Sequence, residues 1–166
     1  MQNAQDLIAK LNLQQHPEGG WYKEIDRSSD LIQTQSQSQR NASTSIYFLL
    51  LGNERSHLHK IDAQEQWHYY AGTSPLLVHY IDQSQEIITS KIGNIGLMEN
   101  TVPQTIVPKN SWFCAELEDK EGFALVGCTV APGFEFSHFE LDKNGALAKT
   151  FPQHAKFIEH FSLQTA

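Results

Sequence analysis

The feature that most constrains the fold is a series of short strand-like segments separated by turns. Eight segments of four to eight residues are rich in β-branched and aromatic side chains, and turn-forming residues separate most of them. Short strands at regular spacing, with almost no helix between them, predict an all-β sandwich or closed roll rather than βαβ units. The segments are Ser45–Leu51, Gln66–Tyr70, Leu76–Ile81, Glu86–Ser90, Gln104–Val107, Trp112–Leu117, Phe123–Val130 and Phe134–Leu141.

The two ends of the chain have a different pattern. Asp6–Leu13 carries apolar residues at helical spacing and predicts one short helix, which the turn at His16–Gly20 ends. Trp21–Ile25 then predicts a first strand. Ser28–Thr44 is polar and rich in Gln and Ser, which favours a mobile loop or a solvated edge. Pro152–Phe161 predicts a terminal helix with Phe157, Ile158 and Phe161 on one side.

Charge and hydropathy exclude several classes of function. The 166 residues are 40% hydrophobic and 19% charged, which is typical of a globular protein. The net charge of −7 argues against nucleic-acid binding, which requires a basic face, and against docking on an anionic membrane. The longest apolar run, Ile46–Leu51, is far too short to span a bilayer.

Cysteine usage and the first residues bear on cellular location. Cys114 and Cys128 lie in apolar, strand-like sequence, where buried thiols are expected rather than a disulfide framework. The first twenty residues lack the basic start, apolar stretch and cleavage site of a secretion signal. We therefore expect a cytoplasmic protein.

The strongest local signal for chemistry is the segment His57–Gly72. His57 and His59 are two residues apart, so on a regular strand both side chains point to the same face. Glu65, beyond a turn, can present a carboxylate beside them from the neighbouring strand. Two imidazoles and a carboxylate can bind Fe, Mn, Ni or Zn. The same residues can instead act without a metal, with one histidine as a general base that the carboxylate holds in place. Both alternatives remain open from the residues alone.

The aromatic residues that follow Glu65 extend this candidate site. Trp67 and Tyr69 share the Glu65 face by alternation and are expected to line a small-molecule pocket with it. His68 and Tyr70 then lie on the opposite face, unless a bulge reverses the pattern.

His16, Glu18 and Lys23 lie near the HPEGG turn. The proline and glycines explain the turn itself, and a ligand role for Glu18 or Lys23 stays open.

Four blocks of sequence, in order, carry a family resemblance. The spacing G-x4-H-x-H-x5-E-x6-G from Gly52 to Gly72 resembles the first cupin motif. The remaining blocks are HPEGGWYKE, PKNSWF and VAPGFEFSHFEL. Together, from about Leu7 to Leu141, the chain resembles the small cupin family DUF985, or cupin-5, of the RmlC-like superfamily.

The resemblance implies a jelly-roll barrel, or double-stranded β-helix, over residues 1–166, with 142–166 as a C-terminal extension. It also implies an internal ligand pocket, a homodimer and no settled activity. Metal-binding cupins place a histidine three residues after the glycine of P-x-G, but here Asn110 takes the glycine position and Phe113 the histidine position. Phe113 is therefore expected to form an apolar wall. No metal is the preferred expectation, and a divalent transition metal on His57, His59 and Glu65 is the alternative.

These observations lead to three functional hypotheses. The preferred one is a metal-independent isomerase or epimerase that binds a sugar-like or other small polar substrate, with His59 as general base and Glu65 orienting it. The alternatives are a metal-dependent dioxygenase or isomerase, and a non-catalytic ligand-binding module. In each, the expected pocket comprises His57, His59, Glu65, Trp67, Tyr69 and Phe113.

Overall fold

Two antiparallel β-sheets face each other in a computed structural model that describes residues 3–34 and 38–165. The helices are α1 (Ala4–Leu11) and α2 (Ala155–Phe161). The strands are β1 (Gln14–Gln15), β2 (Trp21–Arg27), β3 (Leu31–Gln33), β4 (Gln39–Asn41), β5 (Thr44–Leu51), β6 (Arg55–Lys60), β7 (Gln64–Gly72), β8 (Leu76–Ile81), β9 (Ile87–Ile92), β10 (Gln104–Val107), β11 (Trp112–Leu117), β12 (Phe123–Ala131) and β13 (Glu140–Leu141).

The strand order is that of a jelly roll. One sheet has the order β1-β2-β5-β12-β7-β10 and the other β13-β6-β11-β8-β9. The chain passes repeatedly from one sheet to the other, as it does from β5 to β6 and from β11 to β12. The prediction of an all-β jelly-roll barrel with a short helix near each end is therefore confirmed.

The core lies between the two sheets, where alternate residues of each strand point inward. Phe48, Trp67 and Val126 of the larger sheet meet Val78 and Phe113 of the smaller one, and all five are at most 1% exposed. Burying side chains of this size contributes roughly 1.5–3 kcal/mol each.

The two helices cover the outer faces of the sheets. The α1 helix begins after Asn3, whose side chain accepts a hydrogen bond from the Asp6 amide at 2.8 Å. Its Leu7 packs against Leu49 on the outside of the larger sheet. The α2 helix packs Ile158 and Phe161 on the outside of the smaller sheet.

Two sequence expectations are corrected by the backbone. The polar stretch Ser28–Thr44, expected as a loop or solvated edge, contains the hairpin formed by β3 and β4, although residues 35–37 lie outside the described ranges. The predicted strand Phe134–Leu141 is wrong, because Phe136–His138 forms a 3₁₀ turn and Glu140–Leu141 alone pairs with β6.

Arg40 anchors the segment that follows β12. Its side chain is 3% exposed and donates from Nε to the Gly133 carbonyl oxygen at 3.1 Å. The same guanidinium binds both carboxylate oxygens of Asp62 at 2.7 Å. The segment after β12 is thereby tied to the β3–β4 hairpin, and it becomes a wall of the site.

Cys114 and Cys128 are free and buried, as expected. Among the described residues, no helix is long and apolar enough to span a bilayer.

Candidate active site

A cavity of about 400 Å³ lies at one end of the barrel, between the sheets and beneath the segment that follows β12. Its volume is within the range of small-molecule sites. Acidic, histidine and aromatic side chains share its surface with aliphatic ones. The lining residues are Gln14, His16, Glu18, Tyr22, Glu24, Arg27, Thr44, Ile46, Phe48, His59, Ile61, Glu65, Cys128, Val130, Phe134, Glu135 and Phe136.

A bulge in β6 decides which residues of this strand face the cavity. Phe113 of β11 pairs with His59, but Ala115 pairs with Ser56, so two residues of β6 stand opposite one of β11. The extra residue reverses the alternation, and Ser56 rather than His57 joins His59 on the inner side. The expectation that His57 and His59 share a face is corrected, and His57 does not line the cavity.

Glu18 is a buried carboxyl group of the cavity, and three polar side chains lie within 3.5 Å of its oxygens. It is 6% exposed, and its Oε1 accepts a hydrogen bond from the Ser56 hydroxyl at 2.8 Å. Its Oε2 lies 3.1 Å from Nε2 of His59 and 3.5 Å from Nδ1 of His16. Of the two residues of this region whose role stayed open, Glu18 lines the cavity and Lys23 does not.

The hydrogen bonds of His59 fix where its proton lies. Its Nδ1 is 2.7 Å from the His57 carbonyl oxygen, which can only accept, so Nδ1 is protonated. Nε2 of the neutral ring then has a lone pair directed at Glu18. Burial raises the pKa of Glu18 well above its ordinary value and lowers the pKa of His59 to about 3. Both effects favour a neutral pair in which the Glu18 carboxyl donates its proton to Nε2.

The two glycines of HPEGG allow Glu18 to reach this position. Gly19 has φ +101°, and a Cβ there would clash with the Arg55 carbonyl oxygen of β6. Because the backbone approaches so closely, the Glu18 carbonyl oxygen accepts hydrogen bonds from both the amide and Nδ1 of His57, each at 2.7 Å. His57 therefore holds the Glu18 backbone from outside the cavity.

Glu65 is a second buried carboxyl group in the same cavity. It is 7% exposed on β7 and pairs with Val130 of β12. Burial raises its pKa to about 7, while a hydrogen bond from the Cys128 thiol opposes that rise. The charge of Glu65 also raises the pKa of Glu18. The cavity thus holds two carboxyl groups whose pKa values are raised by burial.

Besides His57, three more of the expected pocket residues lie outside the cavity wall. Trp67 and Phe113 are fully buried in the core, with ring centroids 6.5 Å apart, and Phe113 packs against the His59 ring at 3.9 Å. Tyr69, nearer the other end of β7, donates its hydroxyl to the Ser74 carbonyl oxygen at 2.9 Å. Alternation placed Trp67 and Tyr69 on the inner face correctly, but the cavity does not extend to them.

Comparison with known sequence families gives one match, to the cupin superfamily (DUF985), over residues 5–142. This chain belongs to that family. A comparison with curated proteins found no match. The DUF985 resemblance of the four sequence blocks is therefore confirmed.

Solved structures support the same conclusion. A hypothetical protein from Leishmania major is 31% identical, with a TM-score of 0.89 over 97% of this chain and 99% of its own. A protein from Shewanella oneidensis is 39% identical, with a TM-score of 0.87 over 99% of this chain and 100% of its own. An oxalate decarboxylase mutant of Bacillus subtilis, 15% identical with a TM-score of 0.55, covers 90% of this chain and 37% of its own, and shows the fold alone.

The residues of this cupin do not fit the metal site found in other cupins. Phe113 occupies the position of a histidine ligand, and the β6 bulge removes His57 from the cavity. Across residues 3–34 and 38–165, no group of three or more His, Cys, Asp or Glu side chains is placed to hold a metal ion. His57, His59 and Glu65 do not come together as the expected alternative required.

The sequence contained one signal for Glu18. A glutamate followed by two glycines, beside a histidine and a proline, occurs in HPEGG. Paired glycines permit close backbone approach and positive φ, so they mark the adjacent side chains as candidates for a buried site. Ser56 had no such signal, because its inward position depends on the bulge.

The raised pKa of Glu65 predicts a pH-dependent contribution to stability. Below its ordinary value of 4.5 the group is protonated in both the folded and unfolded states. Between about 4.5 and 7 the folded state binds the proton more tightly, so this contribution is lost as pH rises through that window. We expect the free energy of unfolding of wild type, relative to Glu65→Gln, to fall between pH 5 and pH 8 in urea titrations.

Glu18 is present in both proteins, but the charge of Glu65 raises the pKa of Glu18, so the difference reports the titration of Glu65 together with its coupling to Glu18. A difference that stays constant across the pH range would show that Glu65 titrates at its ordinary value in the folded protein.

Proposed function

We propose that this cupin is a metal-independent isomerase or epimerase that moves a proton on a sugar-like or other small polar substrate. One observation carries the proposal: a buried carboxyl, Glu18, lies 3.1 Å from Nε2 of His59, in the same cavity as a second buried carboxyl, Glu65. Pairs of titratable groups whose pKa values are shifted by their surroundings are characteristic of acid–base sites.

The two carboxyls suit opposite roles in enolisation. A general base works best when its pKa is near the working pH, which describes Glu65 with a pKa of about 7. In our proposal the Glu65 carboxylate takes the proton from the carbon next to a carbonyl group. Protonated Glu18 turns the proton that it directs at Nε2 of His59 toward the carbonyl oxygen and donates it there, which yields a neutral enol. Return of a proton to carbon, with loss of the hydroxyl proton to Glu18, completes isomerisation or epimerisation.

His59 supports Glu18 in this scheme instead of acting as the base that the sequence suggested. Its Nε2 is engaged by Glu18, and its pKa of about 3 makes it a weak base in the empty cavity. His59 holds the Glu18 carboxyl in place through Nε2, while the His57 carbonyl fixes its tautomer through Nδ1. His59 is thus a positioning residue for the acid.

The test uses solvent deuterium, because enolisation exchanges the carbon-bound proton even when the equilibrium favours the substrate. Wild-type protein in D₂O should incorporate deuterium next to the carbonyl of at least one ketose or aldose in a panel of neutral sugars, as measured by proton NMR. Removing the Glu18 partner with His59→Phe should reduce this rate by about 10²-fold or more. If His59→Phe exchanged deuterium at the wild-type rate, the proposed role of His59 would be wrong.

Two outcomes distinguish the alternatives. A ligand retained through purification, detected by native mass spectrometry and unchanged on long incubation, would indicate a binding module without catalysis. Near-stoichiometric Fe, Mn, Ni or Zn in protein purified without a histidine tag, together with loss of exchange on chelation, would indicate a metal-dependent enzyme. Either result overturns the metal-independent scheme.

We further propose a cytoplasmic homodimer. Support comes from apolar side chains that the single chain leaves exposed, among them Leu97 at 83% and Ile95 at 68%. The edge formed by Phe134–Leu141 is less suitable than expected, since that segment is not a strand. The same native mass spectra report subunit number, and a monomer would contradict this proposal.

A further inference from the structure

The charges around the cavity are unevenly divided. Four carboxyl side chains line it, and Arg27 is the one lysine or arginine among the lining residues. Glu18 and Glu65 lie deep in the cavity, and the other two carboxyls, Glu24 and Glu135, accompany Arg27. A negatively charged ligand would therefore meet an acidic surface unless Arg27 were free to bind it.

Arg27 is already engaged through all three of its nitrogens. Its Nε and Nη2 donate to the two carboxylate oxygens of Glu24 at 3.0 and 2.8 Å. Its Nη1 donates to Oδ1 of Asn41 and to the Phe134 carbonyl oxygen, each at 3.1 Å. A phosphate or carboxylate that approached Arg27 would have to replace a bidentate ion pair already formed with Glu24.

The two lining histidines do not supply the missing positive charge. His59 is neutral in its pairing with Glu18, as derived above. Nδ1 of His16 accepts a hydrogen bond from the Glu18 amide at 3.2 Å, so it carries no proton. Burial also lowers the pKa of His16 to about 4, which keeps the ring neutral at pH 7. Both imidazoles therefore act as neutral polar groups.

We propose that the cavity selects a polyhydroxylated ligand without a negative charge, and that it excludes phosphorylated and carboxylated analogues because Glu24 neutralises Arg27. Hydroxyl groups both donate and accept, so they match protonated carboxyls and neutral imidazoles. The rings of Phe134 and Phe136, with centroids 4.9 Å apart, supply an apolar wall for the carbon skeleton. This inference rests on the proposed function, because it names the class of substrate that the same cavity would bind.

The test measures binding of anions that differ from neutral sugars by a phosphate group. Inorganic phosphate and glucose 6-phosphate are titrated to millimolar concentration, with binding followed by ³¹P line width and by the imidazole proton signals of His16 and His59. Wild type should bind neither. Glu24→Gln releases Arg27 and should gain phosphate affinity by about tenfold or more, which corresponds to about 1.4 kcal/mol.

The matched control is Glu140→Gln, which removes an exposed carboxylate paired with Lys60 outside the cavity and should leave phosphate binding unchanged. Binding of phosphate by wild type with a shift of the His16 signals would overturn the proposal. Failure of Glu24→Gln to gain affinity would also overturn it, because the ion pair would then not be what excludes the anion.

Failure of this inference can be told apart from failure of the proposed function. Deuterium exchange on a sugar phosphate, but on no neutral sugar, would support acid–base catalysis and overturn the selectivity. Binding of neutral sugars without any exchange would leave the selectivity intact and overturn catalysis.

Discussion

Glu65→Gln is expected to lower the rate of deuterium incorporation by about 10²–10⁴-fold, the range usual for loss of a general base. The amide resembles the protonated carboxyl in size and charge, and its oxygen can still accept a hydrogen bond from the Cys128 thiol. The fold should therefore be preserved while the group that removes the proton is lost. Exchange rates and circular dichroism, measured on the same samples, separate these two effects.

The pH profile gives this prediction a second readout. In wild type the rate should rise with pH and level off above about 7, because only ionised Glu65 accepts a proton. In Glu65→Gln the residual rate should not show that rise. Glu140→Gln, outside the cavity, should retain the full rate. If Glu65→Gln exchanged deuterium at the wild-type rate, the base would be another group.

The sequence was sufficient to predict the barrel and to locate the cavity approximately. The strands Leu76–Ile81, Gln104–Val107 and Trp112–Leu117 occur with the predicted bounds. These strands have a clear alternation or a continuous apolar run, and their pairing agrees with that local preference. His59 and Glu65 both line the cavity, because β6 and β7 follow each other along the chain but lie in the two facing sheets.

The bulge in β6 was the first feature that local patterning could not predict. In a regular strand His57 and His59 share a face, and nothing in the residues themselves marks the extra residue between Ser56 and His59. A bulge is set by the pairing of the two strands, which is a property of the assembled sheet. The bulge turns His57 away from the cavity and places the Ser56 hydroxyl where it donates to Glu18.

Glu18 was the second feature beyond local prediction. Its hydrogen bond to Ser56 joins residues 38 apart in sequence, and the contact exists only when the HPEGG turn packs on β6. The protonation of Glu18 depends on burial by residues from several strands. Sequence patterns identify residues that are able to titrate, whereas the direction of a pKa shift follows from the tertiary environment.

The predicted strand Phe134–Leu141 failed for a related reason. Phe134–Leu141 is rich in aromatic residues and has strand-like propensity, but among the residues that the structure describes no strand pairs with its first half. Arg40, in a stretch that reads as a polar loop, captures the Gly133 carbonyl instead. Tertiary hydrogen bonds therefore override the local preference at the segment that closes the cavity.

Phe113→Ala is expected to lower the free energy of unfolding by about 3–5 kcal/mol, as is usual when a buried phenylalanine is truncated. Phe113 is 0% exposed and lies between the His59 ring at 3.9 Å and Trp67 at 6.5 Å. Its removal leaves a void that the paired strands β6, β8 and β11 cannot fill without shifting. Urea unfolding followed by tryptophan fluorescence measures the change.

Phe136→Ala is the matched control, because the same ring is removed from a residue that is 54% exposed at the cavity wall. Its cost should stay below about 1 kcal/mol. Equal losses in the two variants would show that Phe113 is not part of the packed core. The expected contrast would instead show that the side chain at the position of the histidine ligand of metal-binding cupins stabilises the barrel in this protein.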